Sequence, residues 1–279
     1  MPLILRLREK TSIPIEVETV RMEIVREQSA DAVLSTLIQH GNQQLPLGEF
    51  FSAEGSAADE QIVWEGDCSK VKLIGALHKQ GTIRVEGNVG MHLGAEMTGG
   101  EIIVRGNAAD WVGAEMHGGR IRIHGNAGHL VGAVYRGGRR GMTGGEILID
   151  GDAGNEIGQT MRRGLIAIGG KAGDAIGFSM IAGTVLVFGE PGIRHGAGMK
   201  RGTIGLLAES SAPDMLPTFR YCTVYRPTFL RVYLKVLQQR GFPVPERCWS
   251  TRLHRFAGDF LEEGKGEILV TENALSVSL

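Results

Sequence analysis

Short runs with apolar residues at every second position recur through the middle of the chain. Ile83/Val85, Ile102/Val104, Ile121/Ile123, Ile147/Ile149, Ile166/Ile168 and Val185/Val187 have Thr, Arg, Glu or Leu around them. This alternation predicts short strands with one face turned inward. Each run opens a longer unit: 82–100, 101–119, 120–145, 146–164, 165–183 and 184–202. Five units have 19 residues, and the third carries seven more. A degenerate unit at 61–81 precedes them, and TIGLL at 203–207 begins another. Glycine recurs at the sixth place (Gly87, Gly106, Gly125, Gly151, Gly170, Gly189) and at the thirteenth (Gly94, Gly113, Gly132, Gly158, Gly177, Gly196). The sixteenth place holds Met97, Met116, Tyr135, Met161, Met180 and Met199, expected as a further inward layer.

Units of this kind bury their apolar face only by stacking on one another. The spacing predicts a mainly β chain, a solenoid of about seven coils stacked at ~4.8 Å into a rod of roughly 34 Å. A period of 19 is not divisible by six, which argues against a left-handed hexapeptide helix and for a right-handed parallel β-helix.

The two ends follow other patterns. Residues 1–27 alternate (Leu3, Leu5, Leu7; Ile13, Ile15, Val17) and read as two or three strands. Ser29 can cap a helix over ADAVLSTLIQHG, with Val33, Leu34, Leu37 and Ile38 on one face and Gly41 as its stop. Pro227 opens a second helix, 228–240, striped with Phe229, Leu230, Tyr233, Leu234 and Leu237 and stopped by Gly241. GEILV at 266–270 reads as a last strand. The expected division is an N-terminal α/β cap, 1–60, a β-helix, 61–207, and a C-terminal extension, 208–279.

Composition narrows the class. Of 279 residues 42 are glycine, about twice the ordinary ~7%. Since 31 of them lie between Gly87 and Gly202, they belong to the repeat, and without a strict G-x-y period they do not make collagen. An apolar share of 42% and a net charge of -1 argue against disorder and against bulk attraction to nucleic acid. No apolar run is long enough to span a membrane. MPLILRLREK puts charges where a signal peptide needs its apolar stretch, and Cys68, Cys222 and Cys248 are scattered. Both features point to the cytoplasm.

Most candidate chemistry dissolves into the repeat. GNVGMHLG is a corner string rather than a nucleotide loop, and no Walker, GxSxG or HExxH motif is present. His92, His117, His124, His129 and His195 fall at different places in the coil. Asp110 and Asp174 share the tenth place, but at three coils, ~14 Å, they are too far apart to act as a carboxylate pair. No catalytic or metal constellation emerges, and without an acidic groove a polysaccharide-cleaving β-helix is disfavoured.

Arginine is the exception. Arg162–Arg163 and Lys200–Arg201 occupy the seventeenth and eighteenth places, and the seven-residue insertion brings Arg136, Arg139 and Arg140 to that side. Ile181–Ala182 separates the two pairs, leaving Arg163 and Arg201 about 10 Å apart. Guanidinium forks bind carboxylates bidentately. Arg139, Arg140, Arg162, Arg163, Lys200 and Arg201 are therefore the candidate binding edge for an acidic chain or an acidic partner surface. A solvated basic corner is the alternative. The aromatic and basic stretch 219–235 has residue types enriched at interfaces, or packs the helix onto the solenoid.

The units containing GAEMTGG (94–100) and GAEMHGG (113–119) resemble the GXGXG domain shared by the C-terminal part of glutamate synthase and the C subunit of formylmethanofuran dehydrogenase. The flanks LGEFF, 47–51, and RFAGDFLEEGKGEILV, 255–270, resemble the arrangement of that dehydrogenase component, in particular its counterpart in formyltransferase/hydrolase complexes of methylotrophic bacteria. The resemblance implies a right-handed parallel β-helix. It also implies a non-catalytic scaffold in a complex that converts formyl-tetrahydromethanopterin to formate through a methanofuran-type carrier. Amidohydrolase-like, formyltransferase and dehydrogenase-like companions would carry the chemistry. The carrier and zinc are expected in the complex, with no cofactor on this chain. The carrier's polyglutamyl tail becomes a candidate ligand for the arginine edge. The C subunit of a tungsten or molybdenum formylmethanofuran dehydrogenase, or a free-standing glutamate-synthase-type chain, are the alternatives.

Overall fold

The structure, a computed structural model, describes residues 1–9, 11–209 and 213–272. Its centre is one large, mostly parallel sheet. In spatial order the parallel strands are Leu3–Leu7, Gln61–Glu65, Thr82–Val85, Glu101–Val104, Arg120–Ile123, Glu146–Ile149, Leu165–Ile168, Thr184–Val187, Arg201–Leu206 and Lys265–Thr271. Phe51–Glu54 pairs antiparallel at one end, and Leu253–Gly258 followed by Arg220–Tyr225 at the other. The repeat units register place for place, so Ile83, Ile102, Ile121, Ile147, Ile166, Val185 and Ile204 form one buried column. A second line of parallel bridges runs Cys68, Val89, Ala108, Ala127, and then Ala153, Ala172, Pro191. The chain is a stack of like coils, a β-helix-like fold.

The glycine columns have two different causes. Gly113 has φ +60°, and a Cβ there would lie 2.5 Å from Ile147 Cδ1, in the second unit after its own. Gly87 lies outside the left-handed region, but its Cβ would lie 2.4 Å from the Gly66 carbonyl oxygen. The thirteenth place thus needs glycine for backbone and core together, the sixth for close stacking of neighbouring coils.

The expected methionine layer is present, with one correction. Met97, Met116, Met161, Met180 and Met199 are buried, but Met142, not Tyr135, fills the layer in the long unit. The insertion lies before the sixteenth place, so the register resumes only at Met142–Thr143–Gly144–Gly145, which repeats Met97–Thr98–Gly99–Gly100.

Two readings of the N-terminal region also change. Met22–Val25 is a helical turn rather than part of a strand. Ser29 does cap a helix, its Oγ accepting from Ala32 N at 3.3 Å, but the helix covers only Ala30–Leu34. Leu37–His40 is a strand paired antiparallel with Gln43–Pro46. Ile38 is buried while its neighbour Leu37 is half exposed, as expected of adjacent side chains on opposite faces of a strand. Gly41, at φ +61°, makes the turn of this hairpin instead of stopping a helix.

The C-terminal extension covers the sheet's outer face. Helix Thr228–Gln239 lays Leu230, Leu234 and Leu237 on Leu148, Leu165, Ala167 and Leu186, the outward residues of three adjacent strands. That explains why the repeat turns apolar on both faces there. Gly241 follows at φ +72°. Arg122, buried beneath the helix end, pairs with Asp150, donates to Gly241 O at 3.2 Å and lies 5.2 Å from the Phe242 ring centre. Among the described residues, no helix is long and apolar enough to cross a membrane.

Candidate functional site

The side chains that invite a catalytic reading are mostly structural rungs. Asn88 Oδ1 accepts from Asn107 N at 2.9 Å, Asn107 Oδ1 from Asn126 N at 2.8 Å, and Asn126 Oδ1 from Asp152 N at 2.8 Å. Asp152 Oδ1 continues the ladder to Lys171 N at 2.7 Å. A second ladder starts at Asp110, whose Oδ1 accepts from His129 N at 2.8 Å. It passes through His129 Nδ1 and Asn155 to Asp174, which accepts from Ile193 N at 3.0 Å. Asp110 and Asp174 thus satisfy the backbone of the coil above them. Asn126→Ala strands one such amide and should cost about 1 kcal/mol, read as a lower urea midpoint at unchanged slope.

The remaining histidines have local partners. His124 Nδ1 lies 2.8 Å from Asp150 Oδ2, and His117 Nδ1 lies 2.7 Å from Thr143 Oγ1. His195 takes the inward place held by Leu93, Val112, Val131, Ile157 and Ile176 in other coils. Burial pushes its pKa down, and its Nε2 meets Gly192 O at 2.8 Å. Among the described residues, no three His, Cys, Asp or Glu side chains converge so as to hold a metal ion.

The cationic residues do come together. Arg139, Arg140, Arg162 and Arg163 line one open cleft of about 660 Å³, with Glu115, His117 and Thr143. Arg162, Arg163, Lys200 and Arg201 line an adjoining cleft of about 670 Å³, floored by Ile181–Ala182 and walled by Tyr233 and Glu263. Arg162 and Arg163 are the shared wall. Uncharged residues hold the corresponding places in the coils on either side of Arg162–Arg163: Thr143 lines the first cleft, and Ile181 and Ala182 line the second. Among the described residues, no ion pair joins Arg139, Arg140, Arg162 or Arg163 to a carboxylate. Lys200 and Arg201 are paired, with Glu262 at 3.7 Å and Glu263 at 3.1 Å.

The inserted loop is held at both ends. Tyr135 stacks on Trp111 with ring centres 5.0 Å apart, and its hydroxyl meets His92 Nδ1 at 3.0 Å. Burial drives both groups toward their neutral forms, lowering the His92 pKa and pushing Tyr135 up to about 12. Tyr135 N donates to Glu115 Oε1 at 3.0 Å, and Gly141 N donates to Thr160 O at 3.1 Å. Arg139 and Arg140 are exposed between these anchors, whereas Arg136 turns to a separate groove beside Trp111, Leu130 and Glu156. Sequence reasoning missed Glu115, His117, Thr143, Tyr233 and Glu263 as lining residues, because they come from three distant parts of the chain.

The GXGXG motif model matches residues 68–215, more than half of the chain. The chain belongs to the GXGXG family. Within that span, Gly87 and Gly113 are positions at which a Cβ would strike a neighbouring coil. Among its relatives, the C subunit of the tungsten-containing formylmethanofuran dehydrogenase 2 of Methanothermobacter thermautotrophicus is 40% identical over 97 residues, 33% of this chain and 36% of that protein. The C subunit of the molybdenum-containing formylmethanofuran dehydrogenase 1 of the same organism is 44% identical over 83 residues, 29% of this chain and 21% of that protein. The GXGXG chain therefore spans about a third or less of the length of these relatives. A chain in the crystal structure of the formyltransferase/hydrolase complex from Methylorubrum extorquens, in complex with methylofuran, matches with TM-score 0.87 at 33% identity. That match covers 96% of this GXGXG chain and 98% of the other.

Proposed function

We propose that this chain is a non-catalytic scaffold subunit of a cytoplasmic formyltransferase/hydrolase complex, which converts formyl-tetrahydromethanopterin to formate through a methanofuran-type carrier. The observation that carries this reading is the near full-length likeness to a chain of such a complex. The ladders support it, because they commit the repeat's amides and carboxylates to holding coils together. In this reading 1–60 form a cap, 61–207 a right-handed β-helix of about seven coils, and 208–279 a C-terminal extension. The companions are amidohydrolase-like, formyltransferase and dehydrogenase-like subunits, and zinc resides on them. The edge of Arg139, Arg140, Arg162, Arg163, Lys200 and Arg201 holds the carrier's polyglutamyl tail, and guanidinium forks suit a run of carboxylates.

Native mass spectrometry of the chain gently recovered from its own cells tests this. The expected result is a hetero-oligomer with larger partners that releases formate and contains zinc without tungsten. The formylmethanofuran dehydrogenase relatives favour a second reading, which tungsten or molybdenum with iron–sulfur partners would establish instead. A stable monomer would overturn both.

A further inference from the structure

The turn joining Leu253–Gly258 to Lys265–Thr271 comes down on the cationic edge. Asp259, which is buried, pins that turn to the coil containing Met199. Its Oδ2 accepts from Gly198 N at 2.9 Å, its Oδ1 accepts from Leu261 N at 2.9 Å, and its own N donates to Met199 O at 3.3 Å. Phe260 N donates to Thr218 O at 3.1 Å and Gly264 N to Asp259 O at 3.0 Å. The backbone is thus fixed without help from the side chains of Glu262 and Glu263.

Those two carboxylates face two consecutive cations. Lys200 Nζ lies 3.7 Å from Glu262, and Arg201 Nη2 lies 3.1 Å from Glu263. Lys265 Nζ also meets Glu263, at 3.2 Å. Lys200–Arg201 occupy the same two places in their coil as Arg162–Arg163 two coils earlier. The chain therefore already contains, at one end of its cationic edge, the contact that an acidic chain would make at the other. Glu263 itself lines the cleft that Arg162, Arg163, Lys200 and Arg201 share.

We propose that Glu262 and Glu263 are an internal occupant of the cationic edge, closing it at Lys200–Arg201 and so setting the length of polycarboxylate chain that it accepts. This rests on the reading of the edge as a polycarboxylate site. The two carboxylates offset most of the charge of Lys200, Arg201 and Lys265 and confront any anion arriving along the cleft with like charge. The open charge is left at Arg139, Arg140, Arg162 and Arg163. Freeing the far pair would lengthen the cationic track by two coils, about 10 Å, which is roughly three residues of extended chain. The pairs are exposed and individually weak, so their role is to shape the local field rather than to hold the turn.

Fluorescence anisotropy of the full chain with labelled oligoglutamates of four to twelve residues tests this. For the unmodified protein, affinity should rise with probe length and then level off. In E262Q/E263Q it should level off about three residues later and bind the longest probe about five-fold tighter. Thermal unfolding should be unchanged, because Asp259 is untouched. A protein in which R162A/R163A binds every probe as tightly as the unmodified chain would refute the edge as an anion site, and this proposal with it. Binding that depends on Arg162 and Arg163 but is indifferent in length and strength to E262Q/E263Q would overturn the role of the turn alone.

Discussion

Arg162→Glu together with Arg163→Glu weakens binding of an extended polycarboxylate by about 100-fold. The two residues form the common wall of both clefts, so no ligand following the edge avoids them. Reversal changes the local charge by four units. With each exposed charge contact worth roughly 0.5–1 kcal/mol, the loss is about 3 kcal/mol, and ~1.4 kcal/mol is a tenfold change. Anisotropy with a labelled oligoglutamate measures it, and the difference should shrink between low and physiological salt as screening shortens the reach of surface charges. Far-UV circular dichroism and the melting temperature should barely move, because Arg163 is exposed and Arg162 is only half-buried, and neither belongs to the apolar core. Equal binding by the reversed protein would leave the edge a solvated corner.

Gly113→Val is the substitution expected to damage the fold most, by about 5 kcal/mol. A non-glycine residue at φ +60° costs ~1–2 kcal/mol. The new side chain also enters a filled core, starting from a Cβ only 2.5 Å from Ile147 Cδ1, and overpacking adds about 1–3 kcal/mol or more. Gly137→Ala is the matched control. Gly137 also has positive φ, +86°, but sits on the inserted loop, where an added methyl group would meet nothing within 4 Å. It should lose only about 1 kcal/mol. Urea titrations of the two variants decide the matter: similar losses would mean that backbone conformation alone, and not coil stacking, keeps the thirteenth place glycine.

The repeat was legible because every coil places the same residue in the same surroundings. Ile102 and Ile166 are separated by 64 positions yet meet one environment, so a period of 19 reports the stack directly. Legibility failed where a contact had no counterpart in other coils. Tyr135 looked like a core residue because the count ran straight through the insertion, although the Met142–Thr143–Gly144–Gly145 signature showed where it resumed. Leu37 and Ile38 suit a helix by spacing, but pairing with Gln43–Pro46 draws them into a strand. The apolar outward residues Leu148, Leu165 and Leu186 make sense only once the helix at Thr228–Gln239 is placed over them. The cationic edge itself could be assembled from coil places. Its acidic neighbour could not, because Glu263 reaches Arg201 across 62 residues of unrelated sequence.

The place-for-place register of the strands makes distance along this protein a matter of whole numbers. Two surface features on different coils can be separated only in steps of ~4.8 Å, one step for each 19-residue turn added or removed between them. A loop let out at a corner, as after Val134, moves a feature sideways and leaves that count intact. A rod built this way is a ruler with fixed graduations, and the span between its charged pairs was settled by how many turns the chain winds rather than by the side chains that mark them.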